Sequence, residues 1–97
     1  MSAAPLSEII PTSKPVIGYG FRLQWEPAQN AHVLLYPEGM VKLNGSAGEI
    51  LKRCDGQRTV LQIVDDLQES FGAQGLAPDV TNFVTMAVAK KWLELRE

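Results

Sequence analysis

Leu34-Leu-Tyr-Pro-Glu-Gly-Met-Val-Lys-Leu-Asn-Gly-Ser-Ala-Gly-Glu-Ile-Leu51 reads as strand, tight turn, short strand and capped helix, with almost no spare residues. Tyr36-Pro37-Glu38-Gly39 has the chemistry of a type I turn, with proline presetting φ at its second position and glycine closing it. A type I turn followed by a left-handed glycine predicts a three-residue hairpin connection. Met40 to Leu43 is then the return strand, with Val41 and Leu43 on one face and Met40 and Lys42 on the other. Ser46-x-x-Glu49 is a capping-box pattern that starts a helix. Ala47, Ile50, Leu51 and Cys54 give that helix one apolar stripe, and Asp55-Gly56 stops it. Nothing in the stretch resembles catalytic chemistry. A short strand delivered into a small helical domain suggests a surface that holds another chain.

Working outward, Phe21, Leu23 and Trp25 alternate with Arg22, Gln24 and Glu26, the period of a half-buried strand. Pro27 to Asn30 is a turn, and His32 to Tyr36 is a second strand. Downstream, Thr59-x-x-Gln62 is another capping box, followed by the stripe Val60, Ile63, Val64, Leu67 and Phe71 up to Gly72. Pro78-Asp79 opens a third helix whose core stripe is Val80, Phe83, Val84, Ala87 and Val88. Trp92, Leu93 and Leu95 close the pattern as a short strand or a final turn. Residues 1–20 read as an arm, because Pro5, Pro11 and Pro15 forbid a long regular element. Its Leu6, Ile9, Ile10, Val16 and Ile17 need cover, on the arm's own domain or on a second copy, including exchange between two subunits of a homodimer. Residues 21–97 form the domain proper. The order predicts an α+β, winged-helix-like fold: a three-stranded antiparallel sheet packed on a three-helix bundle.

The chain has 97 residues, enough for one domain with one small core. Nine Lys and Arg against eleven Asp and Glu weigh against nucleic acid as a partner, since phosphate binding needs a concentrated positive field. One cysteine, Cys54, allows no internal disulfide and favours a reducing compartment. No basic and apolar signal segment is evident at the N-terminus. No apolar run approaches the ~18–20 residues that span a bilayer. A cytoplasmic protein without membrane attachment is expected.

Chemistry-bearing residues are sparse. One His and one Cys cannot make a closed zinc site or a nucleophile–base pair beyond themselves. His32 at a strand start reads as structural, and Cys54 on an apolar stripe as a buried thiol. Asp65, Asp66 and Glu69 read as a solvated helix face. No enzyme activity, cofactor or metal is expected. Met40, Met86 and Phe83 stand apart, because methionine adapts to irregular partners. If Met40–Leu43 has a free edge and the third helix forms a wall beside it, an extended peptide could add as a further strand. Val41→Pro is then expected to abolish binding by removing a ladder donor.

At this point the chain resembles a known family. Leu34 to Asn44, Ser46-Ala47, Glu49-Ile50-Leu51, Cys54-Asp55-Gly56, Thr59 and Ile63 resemble PqqD, protein D of pyrroloquinoline quinone (PQQ) biosynthesis. Asp79-Val80, Phe83 and Trp92-Leu93 fit the same pattern, so the resemblance runs from Phe21 to Leu95. It implies a peptide chaperone that binds the ribosomally made precursor peptide PqqA. The chaperone presents that peptide to the radical SAM enzyme PqqE, which crosslinks a Glu and a Tyr within it. It also implies the precursor-recognition domain shared by many peptide-modifying systems, in which the leader peptide pairs with the third strand beside the third helix. Carried over, the peptide-binding residues are Met40, Val41, Lys42 and Leu43, with Val80, Phe83, Val84, Ala87 and Lys90 as the helix wall. Gly45, Gly48 and the Ala89-Lys90-Lys91 run depart from the family pattern. The alternatives are a winged-helix nucleic-acid binder or a general protein-interaction domain.

Overall fold

The computed structural model describes residues 10–96. Leu6 and Ile9 of the arm lie outside them. A 3-10 turn at Ile10–Thr12 leads into strand β1 (Lys14–Ile17). Strands β2 (Arg22–Glu26), β3 (Ala31–Tyr36) and β4 (Gly39–Lys42) follow, then helices α1 (Gly45–Leu51), α2 (Val60–Phe71) and α3 (Ala77–Ala89), and finally strand β5 (Leu93–Arg96). The α+β expectation holds: β2, β3 and β4 form a three-stranded antiparallel sheet in sequence order. The sequence reading did not foresee the second sheet, in which β1 pairs antiparallel with β5.

Pro15 is compatible with β1 because of the ladder's alternation. Gly18 donates its N–H to the Trp92 carbonyl at 2.8 Å, so even-numbered residues of β1 face β5. Pro15 therefore points its missing donor away from β5, and its carbonyl accepts the Gly56 N–H at 2.9 Å. Helix α1 ends earlier than expected, at Leu51 with Lys52 as a right-handed cap, so Gly56 at φ +78° shapes the loop that follows instead of capping the helix. Ile10 is fully buried, and the Val60 N–H at the start of α2 bonds the Ser13 carbonyl. The arm from Ile10 onward thus docks on its own chain.

Two local readings change. Tyr36 pairs with Gly39, so the β3–β4 loop is the two residues Pro37 and Glu38, not three. Neither has positive φ, and Gly39 is already a strand residue. The cap of α1 is Asn44, whose side chain accepts the Ala47 N–H at 2.7 Å. Ser46 only donates to Asn44 Oδ1, and Glu49 turns instead toward Arg53 and Lys52. Asn is as strong a cap as Ser and sits two residues earlier, which leaves room for one more half-turn. The Thr59/Gln62 capping box forms in full, and Gly72 ends α2 in the left-handed conformation.

The core lies where the sheet's inner face meets the three helices. Leu34 and Leu43 from the sheet join Ala47, Ile50, Leu51 and Cys54 around α1, Ile63 and Leu67 of α2, and Val84 of α3. Phe71, the last residue of the predicted α2 stripe, is more than half exposed instead. Gly48 lets α1 approach β3 closely: a Cβ there would lie 2.8 Å from His32 Nδ1 and 3.2 Å from the His32 Cβ. Gly48 is thus kept small by its packing against His32.

Candidate functional site: an open strand edge and an apolar groove

Strand β4 pairs only with β3, so its other edge is unpaired among the described residues. Register decides which backbone groups face outward. Leu43 donates its N–H to the His32 carbonyl at 3.0 Å, and the β3–β4 pairs run Val33–Lys42, Leu34–Val41 and Leu35–Met40. In an antiparallel ladder hydrogen-bonded pairs alternate, so Leu43, Val41 and Gly39 point their backbone groups at β3. Met40 and Lys42 point theirs at the open edge. This corrects the expectation for Val41→Pro: the Val41 N–H belongs to the chain's own hairpin, and its loss would break β4 from β3. The donors available to an added strand are those of Met40 and Lys42.

The nine residues predicted as peptide-binding divide sharply by burial. Met40 and Lys42 are exposed, Val41 is partly buried against the core, and Leu43 is a core residue. On α3, Val84 and Ala87 have no exposed surface, so they support the wall from inside and cannot touch a bound chain while the core is closed. Val80 is buried too but contributes to a groove lining, as does the partly buried Phe83. Lys90 is exposed, with its ammonium 5.8 Å from the centre of the Trp92 ring.

That groove, of about 780 Å3, begins three residues beyond β4. Helix α1 supplies Gly45, Ser46, Glu49 and Ile50 to one wall. The end of α2 supplies Leu67 and Phe71, the following loop Ala73 and Leu76, and α3 Asp79, Val80 and Phe83. The loop is fixed: Gln68 Oε1 accepts the Leu76 N–H at 3.1 Å, and the Ala73 N–H bonds the Gln68 carbonyl. Sequence reasoning found only Val80 and Phe83 of this lining. The signal available for the rest was Phe71, a large apolar residue placed at the very end of a stripe, where core cover runs out.

Arg53 organises the wall. Its guanidinium donates to the Glu49 carboxylate and carbonyl, both at 2.8 Å, and to Asp66 on α2. It also lies 5.9 Å from the Phe71 ring centre. The hydrogen bond from Arg53 holds the Glu49 carboxyl below its ordinary pKa, against an opposing cost of burial, with Lys52 assisting. The same guanidinium lowers Asp66. The ion network therefore ties α1 to α2 and neutralises Glu49 at the groove.

Among the described residues, the tertiary structure assembles no acid–base pair around Cys54 or His32. Burial pushes the Cys54 thiol up to about 12, with the charge of Asp55 adding to the effect. Its Sγ is 3.2 Å from the Ile50 carbonyl, as a buried structural thiol would be. His32 meets Trp25 edge to face at 5.0 Å and sits under Gly48. Among the described residues no cluster of His, Cys, Asp or Glu could hold a metal ion, and no helix is long and apolar enough to cross a membrane.

A three-stranded antiparallel sheet with an open edge strand, packed on three short helices beside an apolar groove, defines the class: a small α+β recognition domain. Comparison with known proteins makes this specific. The family model described as coenzyme PQQ synthesis protein D (PqqD) matches residues 31–93. The PqqA binding protein of Stutzerimonas stutzeri is 54% identical over 94% of this chain and all of that protein. That of Azotobacter vinelandii is 50% identical over 98% of this chain and 99% of its own length. The solution structure of the PqqD portion of Methylobacterium extorquens PqqCD, described as a stand-alone RiPP recognition element, superposes with a TM-score of 0.70 at 33% identity. It covers 82% of this chain and 87% of that one. This chain belongs to the PqqD family.

Proposed function

We propose that this chain is a peptide chaperone of pyrroloquinoline quinone biosynthesis that binds the precursor peptide PqqA by strand addition at β4. The observation that carries the reading is the outward set of Met40 and Lys42 backbone groups on a strand whose other edge is unpaired among the described residues, and which leads within three residues to a groove lined by α1, α2 and α3. An extended peptide would satisfy those groups with its own backbone, and its side chains would fix the register. Membership of the family, and relatives whose name is PqqA binding protein, support this partner. The chain itself is non-catalytic on this reading: it holds the peptide for the radical SAM enzyme PqqE, in the cytoplasm.

Titration of the 15N-labelled chain with synthetic PqqA tests the proposal. The amides of Met40 and Lys42 and the resonances of Phe83 are expected to shift together and saturably. Strand β2 is the sheet's other outer strand, with Leu23 and Trp25 at its outward positions. Shifts confined to those two would move the site to that edge, and no shifts anywhere would refute the reading. PqqE added to the saturated sample is expected to form a ternary complex by size-exclusion chromatography. PqqA incubated with the chain alone is expected to keep its mass.

A further inference from the structure

We propose that the free edge of β2 is a self-complementary surface that joins two copies of this chain as an antiparallel strand pair, with its two-fold axis at Gln24. This contact is separate from the β4 edge and from any exchange of the arm. Backbone register, charge and clearance each support it.

Among the described residues β2 pairs only with β3. The pairs run Arg22–Leu35, Leu23–Leu34, Gln24–Val33, Trp25–His32 and Glu26–Ala31. In β3, His32 and Leu34 turn their backbone groups toward β4, so Ala31, Val33 and Leu35 turn theirs toward β2. Leu23 and Trp25 are therefore the β2 residues whose N–H and C=O groups face outward. An antiparallel copy centred on Gln24 sets Leu23 opposite the second copy's Trp25, and Trp25 opposite its Leu23. Both become hydrogen-bonded pairs, so each outward donor finds an acceptor. The ladder also stops itself. The next pair on that parity is Phe21 with Pro27, and proline has no N–H to give. The Phe21 N–H is already bonded to the Gly18 carbonyl at 3.0 Å.

The side chains obey the same axis. Arg22 falls opposite the second copy's Glu26, and Glu26 opposite its Arg22, on the outer face of the sheet. Among the described residues neither makes an ion pair within the chain. Glu26 accepts from the Gln24 amide at Oε1, which leaves Oε2 for a guanidinium. Moving the axis to Leu23 or Trp25 loses both ion pairs, and a parallel pairing brings Arg22 beside Arg22 and Glu26 beside Glu26. One register therefore satisfies backbone and charge together, as an isologous contact requires.

Clearance comes from Trp25. It lies on the helix side of the sheet, the side of His32 and Leu34, and its ring meets His32 edge to face at 5.0 Å. It is nevertheless 47% exposed, so the helices stop short of this edge. An uncovered edge carrying a large aromatic is a template for pairing, and Leu23 of a second copy would cover that ring. The joined sheet would run β4-β3-β2-β2-β3-β4, with both β4 edges outermost. Each copy keeps its own β4 edge, and the pair presents two. A five-residue strand contact is small, so the association is reversible.

The test uses the full chain without peptide, in a concentration series followed by sedimentation and by 15N spectra. A monomer–dimer equilibrium is expected, with the amides of Leu23 and Trp25 shifting with concentration and those of Met40 and Lys42 still. Arg22→Glu turns both opposite-charge pairs into like-charge pairs and is expected to weaken association about fivefold or more, and Glu26→Arg likewise. Mixing the two variants is expected to restore association, because each introduced charge then meets its opposite across the axis. A variant that only disturbed the fold of β2 would not be rescued by mixing. Saturation with PqqA is expected to leave the dimer intact. A chain that stays monomeric throughout the series would overturn the proposal, as would concentration shifts at Met40 and Lys42 in place of Leu23 and Trp25. A dimer indifferent to Arg22→Glu, or single variants that do not recover on mixing, would overturn the register, and dissociation by PqqA would overturn the separation of the two edges.

Discussion

Lys42→Pro removes one outward donor from β4 and leaves the hairpin's own ladder intact. Lys42 stands opposite Val33 in a pair whose backbone groups point away from β3, and its side chain is exposed. Proline is tolerated on an edge strand where its nitrogen faces outward, and Val41 before it is already extended, as a residue preceding proline prefers. The fold should therefore survive. Binding should not survive unchanged, because a carbonyl of the added strand loses its donor. An orphaned group costs about 1–3 kcal/mol when buried, and at a solvent-flanked edge the lower part applies, about 1–2 kcal/mol. That corresponds to a Kd weakened about five- to thirtyfold. Val41→Pro is the contrasting variant. It takes the donor from Leu34, a fully buried central-strand residue, and is expected to lower thermal stability before any peptide is added. Calorimetric titration with PqqA, paired with thermal unfolding of each variant, separates the two effects; Lys42→Ala controls for the side chain. A folded Lys42→Pro protein that binds PqqA with the parent's affinity would refute strand addition at β4.

Gly48→Ala brings two opposed effects. Alanine improves the helix by about 1 kcal/mol, but its Cβ would lie 2.8 Å from the His32 ring, and overpacking costs about 1–3 kcal/mol. A net loss of about 1 kcal/mol lowers Tm by about 4–8 °C, which His32→Ala in the same chain should relieve; a rise in Tm for the single variant would contradict the packing role. Acid should loosen the α1–α2 junction. Glu49 and Asp66 have folded pKa values below their unfolded ones, so their contribution is present above the unfolded values and is lost as pH falls through the folded ones. Denaturant unfolding measured from pH 6 down to pH 3 should show a steeper loss for the parent than for Arg53→Met, and parallel curves would argue against the network. Cys54, pushed up to about 12 and buried, should resist thiol reagents at pH 8 in the folded chain and react fully in denaturant; fast native labelling would mean that the α1 segment opens readily.

Legibility followed the range of the interactions involved. Alternating residues gave β2, and the Thr59/Gln62 box with Gly72 gave both ends of α2, because caps and periodicity are local. Met40 and Lys42 were placed together, on the face opposite Val41 and Leu43, for the same reason. Asn44 was overlooked because two capping patterns overlapped within three residues, and only hydrogen-bond geometry separates them. The second sheet was missed since β1 contains Pro15, and whether a proline disrupts a strand depends on which neighbour its nitrogen faces. Val84 and Ala87 entered the wall only through the family resemblance, although their spacing had placed them on the core stripe of α3; which side of that helix meets solvent is set by where its neighbours lie.

The sequence by itself thus determined strands β2 to β4, the three helices and the family resemblance. Each of these rests on residue type and spacing within a turn or two of chain. Tertiary structure decided what those elements offer a partner. The direction of each β4 amide follows from its register with β3, and the groove exists only where α1, α2 and α3 converge. Those are relations between segments tens of residues apart, and no local pattern encodes them.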